Sequence, residues 1–281
     1  MEAAPKPELK KDPAVVSAEV MQARLGAAPE RRADTLAREE PLEIRVRGRA
    51  VAVTMRTPGH DGELAAGFLL TEGIIHKSAD VVEIAPCLQS ETPENTLNVF
   101  LAPSVEVDFE RLTRHVFASS SCGLCGKASI ESVHQHFAPI ESSLKSSPEI
   151  LATLPERMRA AQAAFERTGG LHAAAIFDAC GELVVLREDV GRHNAVDKIL
   201  GYGLLNNLLP FGSHILLVSG RASFEIMQKA LAGRIPVICA ISAPSSLAVE
   251  FARDSGQTLV GFLRGETMNI YSHPERIMGG G

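Results

Sequence analysis

The sequence predicts an α/β protein, a layered α/β/α sheet domain with helices on both faces, preceded by a smaller N-terminal α+β domain. Three observations predict it. In the second half of the chain, apolar segments of strand length alternate with helical segments, the pattern of a sheet whose crossovers carry helices. The first half opens instead on strand-like alternation around a tight Arg47-Gly48-Arg49 turn. At 281 residues, with 45% hydrophobic and 22% charged side chains, the chain can bury one large core or two smaller ones.

Taken in order, residues 1–40 mix Lys, Glu, Pro and Ala without a sustained apolar period and are expected to be a poorly ordered tail. A domain over 41–145 begins with a hairpin, Leu42–Val46 and Val51–Met55. The turn Thr57-Pro-Gly-His-Asp-Gly-Glu63 then leads into a helix through Leu64–Leu70. Strands are expected at Val81–Ile84 and Leu97–Leu101, and a short helix at Glu106–Val116. A loop with two cysteines and a helix from about Lys127 follow, then a linker over Leu144–Pro148. The domain over 146–281 reads as a hairpin, Leu171–Phe177 with Leu183–Leu186, and a helix Asn194–Tyr202. Strands His214–Ser219, Val237–Ile241 and Thr258–Phe262 then alternate with helices Ser223–Ala232 and Ser245–Arg253. An extended piece, Met268–Tyr271, closes the chain.

Composition excludes some classes. With no Trp and two Tyr there is little to stack single-stranded bases on, and a net charge of −6 argues against a phosphate-backbone binder, so no nucleic-acid partner is expected. The start, Met1–Lys6, leads into no apolar stretch. The run Ile235–Ile241 falls far short of the roughly 20 residues needed to cross a bilayer. A cytoplasmic protein without membrane contact is expected. Its five cysteines are an odd number and thinly spread, which in a reducing compartment argues against a disulfide framework. Cys180 and Cys239 read as buried small hydrophobes.

The sharpest chemical feature is Cys122-Gly-Leu-Cys125-Gly-Lys127. Zinc would need four ligands, and the nearby His134 and His136 do not have finger spacing, so no metal site is expected. A thioredoxin-like pair would follow a strand, whereas this one follows three serines. A carrier thiol would need exposure and a lowered pKa, which a helix starting near Lys127 would favour through its N-terminus. Two incidental loop thiols have the same spacing, and the spacing alone leaves these readings open.

Four polar clusters recur at predicted strand ends: Thr168–His172, Glu188–Asn194, Ser219–Ser223 and Ser242–Ser246. Open α/β sheets bind ligands at the carboxyl ends of their strands. There Ser219-Gly-Arg221 precedes a helix whose free N–H groups favour an anion, and Arg192, Arg221 and Arg264 can add phosphate contacts. Singly, each cluster is also what turns and helix caps look like. There is no G-x-G-x-x-G and no P-loop.

These residues resemble a known family. Thr57–Gly73, Ser121–Gly126, Gly170-Leu-His172, Glu188–Lys198 and Ser219–Ser223 are similar to the formate dehydrogenase accessory sulfurtransferases, FdhD, from about residue 42 to the end. The resemblance implies a sulfurtransferase with a cysteine persulfide intermediate. Such a protein takes sulfur from a cysteine desulfurase and passes it to molybdenum bis(molybdopterin guanine dinucleotide), the cofactor bound as substrate, for formate dehydrogenase. It implies Cys122 as the persulfide cysteine, with Cys125 as relay or assistant. It also implies cofactor contacts at Phe262-Leu263-Arg264-Gly265-Glu266-Thr267, to which the strand-end reading adds His172, Arg192, His193, Ser219 and Arg221. A cytidine deaminase-like larger domain is implied too, although deaminase chemistry is rejected: His172-Ala-Ala174 lacks the Glu of H-x-E, and Ser121 stands where P-C-x-x-C has Pro. A homodimer is expected, since two sites would serve the two dinucleotide arms. Two rivals are a cofactor chaperone without covalent sulfur and an oxidoreductase cycling a Cys122–Cys125 disulfide.

Overall fold

A computed structural model describes residues 12–109 and 137–277. Cys122, Cys125, the helix from Lys127 and all but the start of the Glu106–Val116 helix lie outside the described residues.

The first described strands, β1 (Val15–Gln22) and β2 (Glu30–Ala37), form an antiparallel hairpin with Val15 opposite Ala37. Over the described residues 12–40 this corrects the expectation of a poorly ordered tail over 1–40. An isolated two-stranded hairpin is marginal in water, and what anchors this one comes from far along the chain. Val15 packs with Ala164 and Leu171, and Asp12 pairs with Arg167 at 2.7 Å. Composition near the start could not show either partner.

Next comes a four-stranded sheet made by β3 (Glu40–Val46), β4 (Arg49–Arg56), β5 (Val81–Pro86) and β6 (Thr96–Leu101), in the order β4-β3-β6-β5. Leu42, Ile44, Val46, Leu97 and Val99 face inward at the two-residue period that the alternation predicts. Between β4 and β5 runs α1 (Asp61–Thr71), as expected from the sequence.

The larger sheet contains β7 (His172–Asp178), β8 (Leu183–Asp189), β9 (His214–Val218), β10 (Val237–Ala240), β11 (Thr258–Arg264) and β12 (Thr267–Ser272), in the order β12-β11-β10-β9-β7-β8. Strands β9, β10 and β11 are parallel, while β7 is antiparallel to both neighbours and β12 to β11. One face is covered by α2 (Pro148–Ala161) through Leu151, Leu154 and Met158, and α2 leads directly into the short α3 (Ala163–Thr168). The other face is covered by α4 (Arg192–Leu205), α5 (Phe224–Ala232) and α6 (Ser246–Asp254). Helices therefore cover both faces, as the alternation predicts.

Two local expectations need correction. The segment 144–148 is no free linker: Leu144 is buried in the core, and Ser147 accepts a hydrogen bond from the Ile150 N–H to start α2, with Pro148 in its first turn. Cys239 is buried, but Cys180 is exposed at the tip of the β7–β8 turn. There the Asp178 carboxylate accepts from the Cys180 and Glu182 N–H groups, closing a tight turn in which Gly181 is buried and Cys180 is left exposed.

The two sheets share a core because α1 lies directly on α4. A side chain at Gly67 would collide with the Asp197 carbonyl, and one at Gly201 with the Glu63 carbonyl. Backbone thus meets backbone, and only hydrogen fits at either position. Alanine gains about 1 kcal/mol over glycine in a helix interior, but overpacking costs about 1–3 kcal/mol and more where backbone must move. Gly67→Ala is therefore expected to lower stability by at least about 2 kcal/mol in a urea titration. An unchanged midpoint would refute the close crossing.

Candidate functional site

At one edge of the larger sheet the carboxyl ends of β8, β9, β10 and β11 lie beside the amino end of β7. His172 pairs across to Asp189 on β8. Next to it, the Ser219 hydroxyl just beyond β9 accepts from the Ala173 N–H at 2.9 Å. A side chain at Gly220 would lie 3.3 Å from His172 Nδ1 and 3.6 Å from Arg192 Cδ. His172, Ser219 and Arg192 therefore surround one glycine. His193 follows at the start of α4, with Nε2 3.3 Å from the Ser223 hydroxyl. Arg221 is exposed at the same strand end.

The β11–β12 turn joins this edge. The Phe262 N–H donates to the Ser242 carbonyl at 3.1 Å, and Arg264 Nε donates to the Ile241 carbonyl at 2.9 Å. Phe262 has a φ of 52° at an irregularity in the ladder and is 38% exposed. The Arg264 guanidinium lies 5.8 Å from its ring centre. Leu263 is buried in the core between sheet and α2, so only its backbone could meet a ligand. Gly265 takes a φ of 52° in the turn, Glu266 is exposed, and the Thr267 hydroxyl donates to the Arg264 carbonyl.

Three helices begin at this edge. The α6 start is capped by Ser245, whose hydroxyl accepts from the Ala248 N–H. Neither Gly191 before α4 nor Ser223 before α5 provides a side-chain cap. Those helix starts keep backbone donors for an external acceptor.

The electrostatics agree with that. Arg192 Nε is buried without a hydrogen-bond partner, and buried charged donors are costly unless paired. His193 is pushed down to about 4, first by burial and then by Arg192 and Lys229. His172 is lowered by burial and by Arg192. At neutral pH the cluster therefore holds uncharged imidazoles around a guanidinium.

Under the edge lies a second set of charges that the sequence reading did not separate from it. The Asp189 carboxylate is fully buried and takes Lys198 Nζ at 2.7 Å. It also accepts from the N–H groups of Thr57 and Gly191 and from the Asn194 amide. Lys198 also donates to the Thr57 carbonyl at 2.8 Å. Every polar atom of the pair is used, and the pair ties the turn before α1 to the start of α4. Further out, Arg187 holds Glu63 through Nε and Nη2 at 2.6 and 2.8 Å. Burial pushes the Glu63 carboxyl up, but hydrogen bonds from Arg187 and His60 outweigh it and hold it at about 2. Lys229 reaches both Asp197 oxygens and the Thr71 hydroxyl. Asp197, Lys198 and Lys229, charged residues inside otherwise apolar helices, were the signal for these pairs.

The structure thus brings together His172, Arg192, His193 and Ser219, with Phe262 and Arg264 alongside. Among the described residues no group of three or more His, Cys, Asp or Glu could hold a metal ion, and no helix is long and apolar enough to cross a membrane. Fold and edge define an α/β protein with a basic, glycine-lined edge at its strand ends.

The chain belongs to the FdhD/NarQ family, whose model matches residues 37–278. It is 52% identical over 265 residues to the sulfur carrier protein FdhD of Streptomyces coelicolor, covering 92% of this chain and 94% of that one. The FdhD of Mycobacterium tuberculosis, named alike, is 50% identical over 255 residues, covering 88% and 92%. That of Sulfolobus acidocaldarius is 47% identical over 244 residues, covering 87% and 91%. A crystal structure from Desulfotalea psychrophila, described as a candidate formate dehydrogenase accessory protein, superposes with a TM-score of 0.75 at 27% identity, covering 95% of this chain and all of that one.

Two predictions follow the geometry. Asp189→Asn leaves the buried Lys198 ammonium without its counter-charge and is expected to cost about 3–5 kcal/mol in urea titrations; a loss under about 1 kcal/mol would refute the pairing. For His193 the folded value lies below the unfolded one of 6.5. Between those two values the unfolded chain takes up a proton that the folded chain refuses, so stability falls as pH drops through that window and is level above it. His193→Gln is expected to remove this part of the slope, and an identical slope in wild type and variant would refute the assignment.

Proposed function

We propose that this chain is a sulfur carrier in formate dehydrogenase maturation. What supports the reading most is that His172, Arg192, His193 and Ser219 gather at one strand edge in a chain half identical, over nearly its whole length, to relatives named sulfur carriers. The cargo would be molybdenum bis(molybdopterin guanine dinucleotide), a large anion, and the edge is built for anions. It has an unpartnered Arg192 Nε, two uncapped helix starts and a Gly220 that lets backbone approach.

The chemistry would sit on Cys122, which lies outside the described residues. The Cys122 thiolate attacks the outer sulfur of a cysteine desulfurase persulfide; that S–S bond breaks, the desulfurase thiolate leaves, and Cys122 carries the sulfur. Release as sulfide requires two electrons. Cys125 supplies them when its thiolate attacks the inner sulfur, expelling hydrosulfide toward the cofactor and leaving a Cys122–Cys125 disulfide for a thiol reductant to reopen. Arg192, Arg221 and Arg264 would hold phosphoryl groups while this occurs, and the neutral His172 and His193 would add hydrogen bonds without adding charge. Formate dehydrogenase would be the final recipient, the setting the cytoplasm, and a homodimer would serve both dinucleotide arms.

The test is incubation of the protein with a cysteine desulfurase and L-cysteine, followed by peptide mass spectrometry. A gain of about 32 Da, one sulfur, is expected on the Cys122–Cys125 peptide and absent in Cys122→Ala. No gain beside an active desulfurase would replace the carrier with a cofactor chaperone. In Cys125→Ala, which cannot close the disulfide, the added sulfur is expected to persist; no added sulfur there, beside a loss of two hydrogens in the wild type, would point to a disulfide oxidoreductase. Arg192→Ala is expected to weaken guanosine diphosphate binding about tenfold or more, and unchanged binding would exclude Arg192 from the site.

A further inference from the structure

The β1–β2 hairpin stands off the body of the molecule. Each strand has eight residues, yet Val15 alone is buried. The hairpin is held at its base, where Val15 packs with Ala164 and Leu171, and where a side chain at Gly170 would lie 3.4 Å from the Ala37 Cβ. From there the two strands run out together to a turn over 23–29 in which every residue is exposed. Val16, Met21, Leu25 and Leu36 are left exposed along it. A two-stranded ribbon is marginal in water, and a further strand is one of the things that stabilise it.

The outer edge of β2 is a candidate for that strand. In an antiparallel pair, alternate residues turn their N–H and C=O groups to the partner and the others turn theirs outward. The Thr35 N–H donates at 2.9 Å to the neighbouring Asp34 carboxylate, which places Thr35, and with it Ala33 and Arg31, in the outward set. Such an edge is a template for another strand. Charges of one sign would keep a second copy away, but β2 reads Glu30-Arg31-Arg32-Ala33-Asp34-Thr35-Leu36 and carries both signs. Two copies of one strand, paired antiparallel about a two-fold axis, oppose residues of the same face, so the axis passes through a residue. An axis at Arg31 or Arg32 sets a guanidinium against its own twin, and an axis at Asp34 does so with a carboxylate. An axis at Ala33 instead sets Arg32 against Asp34 twice, with a small side chain at the centre. It also brings outward residues opposite each other, Arg31 to Thr35 and Ala33 to Ala33, so their backbone groups find partners. Within one copy Arg32 lies 3.8 Å from Asp34, both exposed, a contact worth little, so turning to a second copy gives up little.

We propose that β2 pairs with β2 of a second copy, antiparallel and centred on Ala33, so that two hairpins join into one four-stranded sheet with an Arg32–Asp34 pair on each side of the axis. This rests on the homodimer of the reading above and gives that homodimer its surface. A contact this short belongs at the small end of interfaces, so the dimer is expected to dissociate on dilution.

The test follows self-association of the full chain by sedimentation equilibrium over a wide range of concentration. Asp34→Arg meets Arg32 of the other copy with a like charge, and Arg32→Asp does the same to Asp34. Each variant alone is expected to associate about tenfold more weakly or worse. An equimolar mixture of the two restores opposite charges at both pairs and is expected to associate as the wild type does. That rescue separates pairing from damage to the hairpin, because two damaged hairpins would not repair each other. Should a charge variant not fold, Ala33→Pro removes an outward N–H and none that β1 receives, and is expected to show the same loss. The proposal is overturned if the variants associate as the wild type does, or if the mixture associates no better than either variant alone. A wild type that stays monomeric overturns it together with the homodimer. Sulfur loading of Cys122, measured on the same preparations, keeps the carrier reading apart. Loading with association unaltered in the variants removes this inference alone, and association that depends on Arg32 and Asp34, without loading, removes the carrier reading alone.

Discussion

The contact on which the rest of the molecule depends is the one between α1 and α4, where two glycines let helix backbones touch. A crossing that close leaves no room for side chains between the axes, so the polar groups beside it must be satisfied there, away from water. Asp197 with Lys229 and Thr71, and Glu63 with Arg187, do this on either side of the crossing. Removing one partner of such a pair costs several kcal/mol, a large share of the roughly 5–15 kcal/mol that holds a domain together. The charges therefore contribute less to total stability than to uniqueness: no slipped arrangement of α1 on α4 would pair them all.

That rigidity is passed to the ligand edge through the first turn of α4. Asp189, Asn194 and Lys198 belong to the same stretch of sequence as Arg192 and His193, but they point the other way. The three bind the segment around Thr57, while Arg192 and His193 lie beside His172 and Ser223. One short segment thus carries scaffold and site on alternate faces of a helix start, and a shift of one face would move the other. The Thr57 N–H after β4 and the Gly191 N–H before α4 are held by a carboxylate that cannot relax without exposing Lys198.

Much of this architecture was legible in the sequence. Strands β3 to β12 and helices α1, α4, α5 and α6 stand where alternation and apolar runs predicted them. The β1–β2 hairpin was not legible, since Val15 finds Ala164 and Leu171 some 150 residues later. Helix α2 was not among the expected elements: Leu151, Leu154 and Met158 carry a helical period, but Ser146-Ser147-Pro148 looks like a linker until Ser147 is seen to cap. At the site, the clustering of His172, Arg192, Ser219 and Arg221 at one sheet edge follows from the topology rule for α/β sheets. Which charges within Glu188–Lys198 face solvent was beyond reach, because a helix start turns adjacent residues about 100° apart and only the packed partner decides the outcome.

The balance of charge at the edge indicates why it should hold an anion rather than move protons. A general base working near neutral pH needs a pKa close to it, yet burial and Arg192 hold His193 near 4, and nothing in the cluster pulls it back strongly, since Glu225 is 3.9 Å away and largely exposed. The imidazole therefore stays neutral and offers only hydrogen bonds, while Arg192 keeps its charge and an unused donor. A bound phosphoryl group would reverse the sign of the local field: it would pair the Arg192 donor, accept from the open helix starts and raise the pKa of the nearby histidines. Binding would then take up protons and tighten as pH falls. That behaviour separates an anion cradle from an acid–base site, where loss of the neutral imidazole would abolish function over the same pH range.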